Sequence, residues 1–323
     1  MATSLLTPPP LPLSLGDEVL AGLTRTGQKT LPSKLFYDQV GSVLFEAICA
    51  LPEYGLTKAD ARLLQANAAA MVTPFARGVA VAELGSGSGE KTRWILETLC
   101  RRQPTDYYPI EISSIALKQC QAELASIEDL TIYPQEADYL AGLGALAARR
   151  GPAPLLVLFL GSTFGNFDPG PGHEFLLSVR RLLRPGDGLL LGLDLIKPVK
   201  LLKLAYDDPA GVTAAFNRNA LARLNREFDA DFDLRYWRHK IRYTRRPARV
   251  EMHLVSQRHQ TAHLRVLDCA ISFVRGESIW TESSHKFRPR AVASMVAGAG
   301  FRLHQQWRDE AWPFAENLCL AIE

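Results

Sequence analysis

Gly78-Val-Ala-Val-Ala-Glu-Leu-Gly85 reads as a short strand that runs into Glu83-Leu-Gly85-Ser-Gly87-Ser-Gly89, with a helical pattern behind it. Glycines there admit positive φ and let the backbone approach a ligand. The following helix N-terminus offers free N–H groups to an anion. A dehydrogenase spaces such glycines Gly-x-Gly-x-x-Gly, whereas this loop reads Gly-x-Gly-x-Gly. Lys91 is expected in the first turn of a helix over 91–101, where a cation opposes the helix dipole. That leaves it solvated or set against a carboxylate ligand.

Two acids follow at the ends of the next two expected strands. Glu111 can accept hydrogen bonds from a ribose diol, and Asp138 is placed to face an adenine edge. Glycine loop, ribose acid and adenine acid on successive βα units suit S-adenosylmethionine better than NAD, because no second phosphate needs docking. After a fourth strand comes Gly161-Ser-Thr-Phe-Gly-Asn166-Phe-Asp168-Pro169. Turn chemistry alone accounts for Asn-x-Asp-Pro-Gly. The functional alternative makes Asn166 an amide donor and acceptor beside a transferring methyl. Methyl transfer from a sulfonium to an amine is mostly a positioning problem.

The elements that must hold these residues alternate. Expected helices at 91–101, 114–127, 139–149 and 173–183 separate apolar strands ending near Leu84, Glu111, Tyr133, Leu160 and Leu195. That pattern predicts an α/β, Rossmann-like, doubly wound parallel sheet. Residues 17–70 read as helices broken by Pro32 and Pro52, 200–230 as helical, and 234–280 as alternating strands. A helix over 289–299 and two closing strands end the chain. The expected division is a proline-rich leader over 1–16, a sheet domain over 61–196 plus 286–323, and an inserted α+β domain over 17–60 plus 197–285. The insert would cover the C-terminal ends of the strands, where such sheets bind ligands.

Composition bounds the rest. The 323 residues carry 37 basic and 34 acidic side chains, a formal charge of +3, with 47% hydrophobic residues. That is a globular composition, too mildly basic for a nucleic-acid or membrane footprint. Five scattered cysteines with no Cys-x-x-Cys pair fit neither a disulfide framework nor a zinc ribbon and imply a reducing compartment. The first residues lack the positive start of a signal peptide. A cytoplasmic monomer with no membrane, nucleic-acid or metal partner is expected. His259-Gln-Thr-Ala-His263 has zincin spacing without the required Glu. The basic and aromatic run from Arg235 to Arg249 reads as a solvated antiparallel strand face rather than an RNA platform.

Longer segments carry a resemblance. Lys34-Leu-Phe-Tyr37-Asp-Gln-Val-Gly-Ser42, Leu51-Pro-Glu-Tyr54, Glu83-Leu-Gly-Ser-Gly87 and Phe159-Leu-Gly161-Ser-Thr-Phe-Gly-Asn166 are four of them. Ala205-Tyr206-Asp-Asp208, Gly211-Val-Thr-Ala-Ala-Phe-Asn-Arg-Asn219 and Thr281-Glu282-Ser-Ser284-His-Lys-Phe-Arg-Pro289 complete the set. Over about residues 20–323 the chain resembles the ergothioneine-pathway L-histidine Nα-methyltransferases. The resemblance implies a class I methyltransferase sheet with an inserted substrate domain, S-adenosylmethionine as cofactor and L-histidine as small-molecule substrate, trimethylated to its betaine. It implies a cofactor site at Gly85, Gly87, Lys91, Glu111, Asp138 and Tyr139. Here Glu111 stands where the family more often has Asp, and Tyr139 where Phe is familiar. Tyr37, Phe45, Gly161 and Asn166 would surround the substrate amine, with Tyr37 and Asn166 as the catalytic pair. Asn166 with Tyr206 would hold the carboxylate, and Tyr54, Met252, Glu282 and Ser284 would contact the imidazole. After Tyr54 the chain has Gly55-Leu56 where the family commonly carries Tyr-Pro. The same chemistry on tryptophan or tyrosine is the nearest alternative.

Overall fold

A computed structural model describes residues 14–75 and 78–323. The first third of the chain gives α1 (Leu15–Leu23), β1 (Lys29–Thr30), α2 (Gln39–Ala50), α3 (Gly55–Val72), β2 (Ala80–Leu84) and α4 (Arg93–Cys100). Then come β3 (Thr105–Glu111), α5 (Ser114–Leu124), β4 (Leu130–Ile132), β5 (Gln135–Glu136), α6 (Tyr139–Arg149), β6 (Leu155–Phe159), α7 (Pro169–Leu182) and β7 (Gly188–Asp194). Helices α8 (Val199–Tyr206) and α9 (Val212–Glu227) lead into β8 (Trp237–Arg245), β9 (Ala248–Ser256), β10 (Gln260–Leu264), β11 (Cys269–Phe273) and β12 (Ser278–His285). The chain closes with α10 (Pro289–Ala297), β13 (Phe301–Asp309) and β14 (Phe314–Ala321).

The large sheet has the order β13-β14-β7-β6-β2-β3-β4, with β5 continuing beside β3. Its strands β2, β3, β4, β6 and β7 are parallel. Strand β14 runs antiparallel to both β7 and β13. Every residue of β6 and β7 is buried, as the uninterrupted apolar runs require when helices cover both faces. Strand order reverses between β2 and β6, so the loops after these two strands open onto one crevice. The second sheet has the order β1-β12-β9-β8, and β10 and β11 form a separate antiparallel hairpin. One apolar core runs without a break from Val81, Leu156 and Leu190 in the large sheet to Trp237 and Leu254 in the second. A separate core fills the other face of the large sheet, where Val157 and Phe159 of β6 meet Leu176 of α7, Val292 of α10 and Phe301 of β13.

Several expected boundaries shift for local reasons. The leader over 1–16 falls outside the described residues up to 13. From Ser14 the chain is already a helix cap, since Ser14 and Asp17 form a reciprocal capping box for α1. The expected helix over 91–101 starts at Arg93, leaving Lys91 in the preceding turn. Helix α7 starts at Pro169 rather than 173, because proline is pre-set for a first helical position. The stretch 200–230 is two helices, broken where Gly211 takes φ +75° and Asp208 accepts from Val212 N and Thr213 N. Strand β1 interrupts a stretch that reads as helical; it pairs with Ile279 and Trp280. Helix α3 runs across residues 60–61, where the sequence suggests a domain boundary. No helix among the described residues is long and apolar enough to cross a membrane.

Asp38 fixes two helices at once. Its carboxylate caps α2 through Gly41 N at 2.7 Å, accepts from Asn219 Nδ2 of α9 at 2.7 Å, and pairs with Arg226. Asp38→Ala should lower unfolding free energy by about 2–3 kcal/mol in urea titrations, the sum of a lost cap and a charged hydrogen bond. A loss below about 0.5 kcal/mol would show that water replaces these contacts at no cost.

Candidate active site

The glycine loop sits at the C-terminal end of β2 with φ of +77° at Gly85, +51° at Gly87 and +78° at Gly89. A Cβ on Gly89 would come within 2.7 Å of Cys120 Sγ, whereas one on Gly87 would meet nothing within 4 Å. Gly87 therefore faces open space, and Gly89 serves backbone shape and packing. Beneath the loop, buried Glu83 accepts from Thr92 Oγ1 at 2.7 Å and from the Tyr107 hydroxyl. Burial pushes its carboxyl up to about 7, against these hydrogen bonds.

At the end of β3, Glu111 Oε1 accepts from Ile112 N at 2.9 Å and Ser113 N at 3.2 Å. Its Oε2 lies 3.4 Å from Gly87 N, a long contact that leaves this oxygen able to accept from a diol. Burial raises its pKa. Asp138 caps α6, with Oδ1 accepting from Ala141 N at 2.9 Å. Its helix thus engages one of the two carboxylate oxygens. Tyr139 follows, and a Cβ on Gly85 would stand 3.2 Å from its hydroxyl. Lys91, half-buried, pairs with Asp60 of α3, and a Cβ on Gly161 would lie 3.3 Å from its Nζ. Asp60 Oδ2 also accepts from Gly161 N at 3.1 Å. Burial pulls the Lys91 pKa down, but Asp60 more than offsets it and the net shift is upward. These groups gather as a cradle at the C-terminal ends of β2, β3, β5 and β6.

Beside the cradle lies a cavity. It is lined by Tyr37, Phe45, Tyr54, Gly161, Asn166, Tyr206, Met252, Glu282 and Ser284, together with Ile48, Leu56, Ser162, Thr163, Ala205, Thr213 and Phe216. The first nine, far apart in sequence and all named above as substrate contacts, thus meet around one space. Tyr37 follows a short 3₁₀ turn over Ser33–Phe36, Phe45 rides on α2, and Tyr54 precedes α3. Asn166 ends the loop after β6, where Ser162 holds a left-handed φ of +60° and its Oγ accepts from Asp194 N at 2.8 Å. Met252 of β9 pairs in register with Glu282 of β12, beside a bulge at 280–282. Glu282 and Ser284 alternate to the same face.

Burial pushes the Glu282 carboxyl up to about 7, with Lys286 pulling the other way. Its Oε1 accepts from Asn166 Nδ2 at 3.3 Å. Burial also raises Tyr37 and Tyr54 well above the ordinary phenol value, so both stay neutral. Tyr37, Phe45 and Phe216 pack edge-on or tilted at 6.0–6.3 Å and form an aromatic wall. Sequence reasoning does not single out Phe216 or Thr213, although both lie within 211–219. Their spacing of three on α9 puts both on one helix face, but an apolar helical position reads as core. Gly55 has a steric cause: a Cβ there would sit 2.4 Å from the Trp312 ring. His259 and His263 are not joined on a helix; His263 lies on β10 and bonds Asp231 at 3.0 Å. Arg238, Lys240 and Arg242 alternate as exposed residues along β8, a strand antiparallel to β9.

A parallel sheet closed by a reversed hairpin, with a glycine loop and a strand-end acid at its crevice, defines a class I S-adenosylmethionine-dependent methyltransferase. A family model described as "Histidine-specific methyltransferase, SAM-dependent" matches residues 15–321, and the chain belongs to that family. It is 42% identical over 311 residues to a histidine N-alpha-methyltransferase of Mycobacterium tuberculosis, covering 95% of this chain and 94% of the relative. A protein of the same description from Mycolicibacterium smegmatis is 41% identical, covering 95% of each chain. Ergothioneine biosynthesis protein 1 of Neurospora crassa is 31% identical over 203 residues, 62% of this chain and 23% of that one.

Raising Glu282 from 4.5 to about 7 means the folded state favours its protonated form. Its contribution to stability is full below the unfolded value and is lost as pH rises through about 7. Glu282→Gln removes that ionisation. Its melting temperature should exceed wild type by a few degrees at about pH 8 and by less at about pH 5. An equal shift at both values would show that the carboxyl is not desolvated.

Proposed function

We propose that this protein methylates the α-amine of L-histidine three times, yielding the trimethyl betaine (hercynine) that enters ergothioneine biosynthesis. The observation that carries the reading is the single cavity in which Glu282, Asn166 and the aromatic wall of Tyr37 and Phe45 meet beside the glycine-loop cradle. The names of the mycobacterial and fungal relatives support the substrate and the pathway. In this reading residues 61–196 plus 286–323 form the methyltransferase domain, which also lends Gly161 and Asn166 to the substrate, and 17–60 plus 197–285 form the substrate-binding domain.

Gly85 and Gly87 would take the cofactor backbone, Glu111 the ribose diol and Asp138 with Tyr139 the adenine. Lys91 would meet the amino-acid tail. S-adenosylmethionine supplies an electrophilic methyl on a sulfonium. The chain's own groups then solve a positioning problem. Tyr37 and Asn166 hold the neutral amine in line without adding charge, and Gly161 leaves it room. Phe45 tolerates the growing ammonium by cation–π attraction. Asn166 and Tyr206 hold the carboxylate. Glu282 accepts from an imidazole N–H, with Ser284, Tyr54 and Met252 around the ring. A side chain without N–H groups would leave Glu282 buried and unpaired, which is how such a pocket rejects apolar amino acids.

The test is mass spectrometry of the protein incubated with S-adenosylmethionine and the pooled standard amino acids. Histidine alone should gain one, two and three methyls. Methylation of tryptophan or tyrosine instead would overturn the substrate and keep the chemistry. Glu282→Ala should lower kcat/KM for histidine by roughly 100-fold, the scale of one buried charged hydrogen bond. S-adenosylhomocysteine should raise the melting temperature and NADH should not; the reverse would favour an oxidoreductase.

A further inference from the structure

Lys286 lies just past β12, and its residue is 4% exposed. Its Nζ is 2.8 Å from Tyr206 Oη, 2.7 Å from Ser284 Oγ and 2.8 Å from Asp194 Oδ2. It does not line the cavity, but two of its three partners do. Those two hydroxyls are 2.7 Å apart.

An ammonium has three donors and no acceptor, so Lys286 donates to both hydroxyls, while its contact with Asp194 Oδ2 is an ion pair. Each neutral hydroxyl brings one proton. One of the two protons must lie in the short bond between Tyr206 and Ser284. The other cannot point at Lys286, so it is available to the cavity. The pair therefore presents one free O–H donor, carried by Tyr206 when Ser284 donates across the short bond. The charge balance agrees. Asp194 pairs with both Lys197 and Lys286, so this buried cluster holds two cations against one anion. Burial lowers Lys197 to about 8, with Asp194 opposing, which keeps it mostly cationic near neutrality. An outward O–H donor backed by the Lys286 charge favours an anionic acceptor over a neutral one.

We infer that Lys286 is a positioning residue that turns the Tyr206–Ser284 hydroxyl pair into a donor for the substrate carboxylate. The inference rests on the histidine reading above. It assigns Lys286 a role in selecting an amino acid over the corresponding amine, without contact with the substrate.

Lys286→Met tests it, because the variant leaves Asp194 and Lys197 as a balanced pair. Histidine and histamine, which lacks the carboxylate, are titrated calorimetrically into wild type and variant with S-adenosylhomocysteine present. Histidine affinity should fall about tenfold or more and histamine affinity less than about threefold, the scale of one charge-assisted hydrogen bond. Unchanged histidine affinity, or equal losses for both ligands, would overturn the inference, since a collapsed pocket does not discriminate. A wild-type protein that binds S-adenosylhomocysteine but neither ligand would instead refute the histidine reading, and the inference with it. Should Lys286→Met fail to fold, Lys286→Gln carries the same comparison, keeping an amide donor while removing the charge.

Discussion

The buried charges at the end of β7 are the constraint around which the two sheets are joined. Asp194 pairs with Lys197 and Lys286 and also accepts from Trp312 Nε1 at 3.3 Å. Burying one such ion costs several kcal/mol unless partners surround it, and here each cation has a second attraction. Lys197 lies 4.1 Å over the Trp312 ring and Lys286 4.7 Å over the Tyr206 ring. The backbone follows the same junction, with Phe287 N donating to Asp194 O at 2.9 Å and Ile196 N to Phe287 O at 3.0 Å. Strand β12 therefore leaves the second sheet directly beside β7 of the first. That join sets Glu282 and Ser284 a few residues from the crevice of the parallel strands.

Buried Glu83 and half-buried Glu282 share a raised pKa and differ in what surrounds them. Glu83 is closed in by Thr92 and Tyr107, so its oxygens are satisfied within the protein and its work is to shape the glycine loop. Glu282 has one contact, at 3.3 Å from Asn166, and otherwise faces the cavity. A desolvated acid with spare acceptor capacity is costly to the fold and useful to a ligand that brings N–H groups. Burial alone does not separate structure from function at these positions; the partner count does.

Much of this is legible in the sequence, and the reasons differ by element. The parallel strands announce themselves because β6 and β7 are apolar throughout, which only a sheet covered on both faces needs. The glycine loop is legible because alternating glycines after a strand have few other uses. Glu282 is different. As a residue in Thr-Glu-Ser-Ser it reads as a surface loop acid, and only the long resemblance points inward. Strand β1 and the capped start of α1 escape because they depend on β12 and on a side-chain cap, not on periodicity. Phe216 escapes for the opposite reason: its pattern is visible but identical to that of a core residue, and only the tertiary meeting with Phe45 makes it cavity wall. Local pattern leaves Lys91 between solvent and a carboxylate, because its partner, Asp60, lies on a helix whose packing no such pattern encodes.

Gly55 shows how a change outside the cavity bears on its shape. The Trp312 ring presses on Gly55 closely enough that any Cβ would collide with it. The same ring covers Lys197 and bonds Asp194. Neighbouring Asp309 is held by Arg62 of α3 through two bonds of 2.8 Å and accepts from Trp312 N at 2.7 Å. Helix α3 is thus drawn against the β13–β14 hairpin at both its start and its second turn. Tyr54 and Leu56, on either side of Gly55, then face the cavity, and the Tyr54 ring packs edge-on to Tyr206 at 6.1 Å. A bulkier pair after Tyr54 would have to move the indole away from the buried charges or move α3 away from the hairpin. The glycine therefore lets Trp312 seal the charged junction and sets how near Tyr54 stands to the groups proposed to hold the substrate.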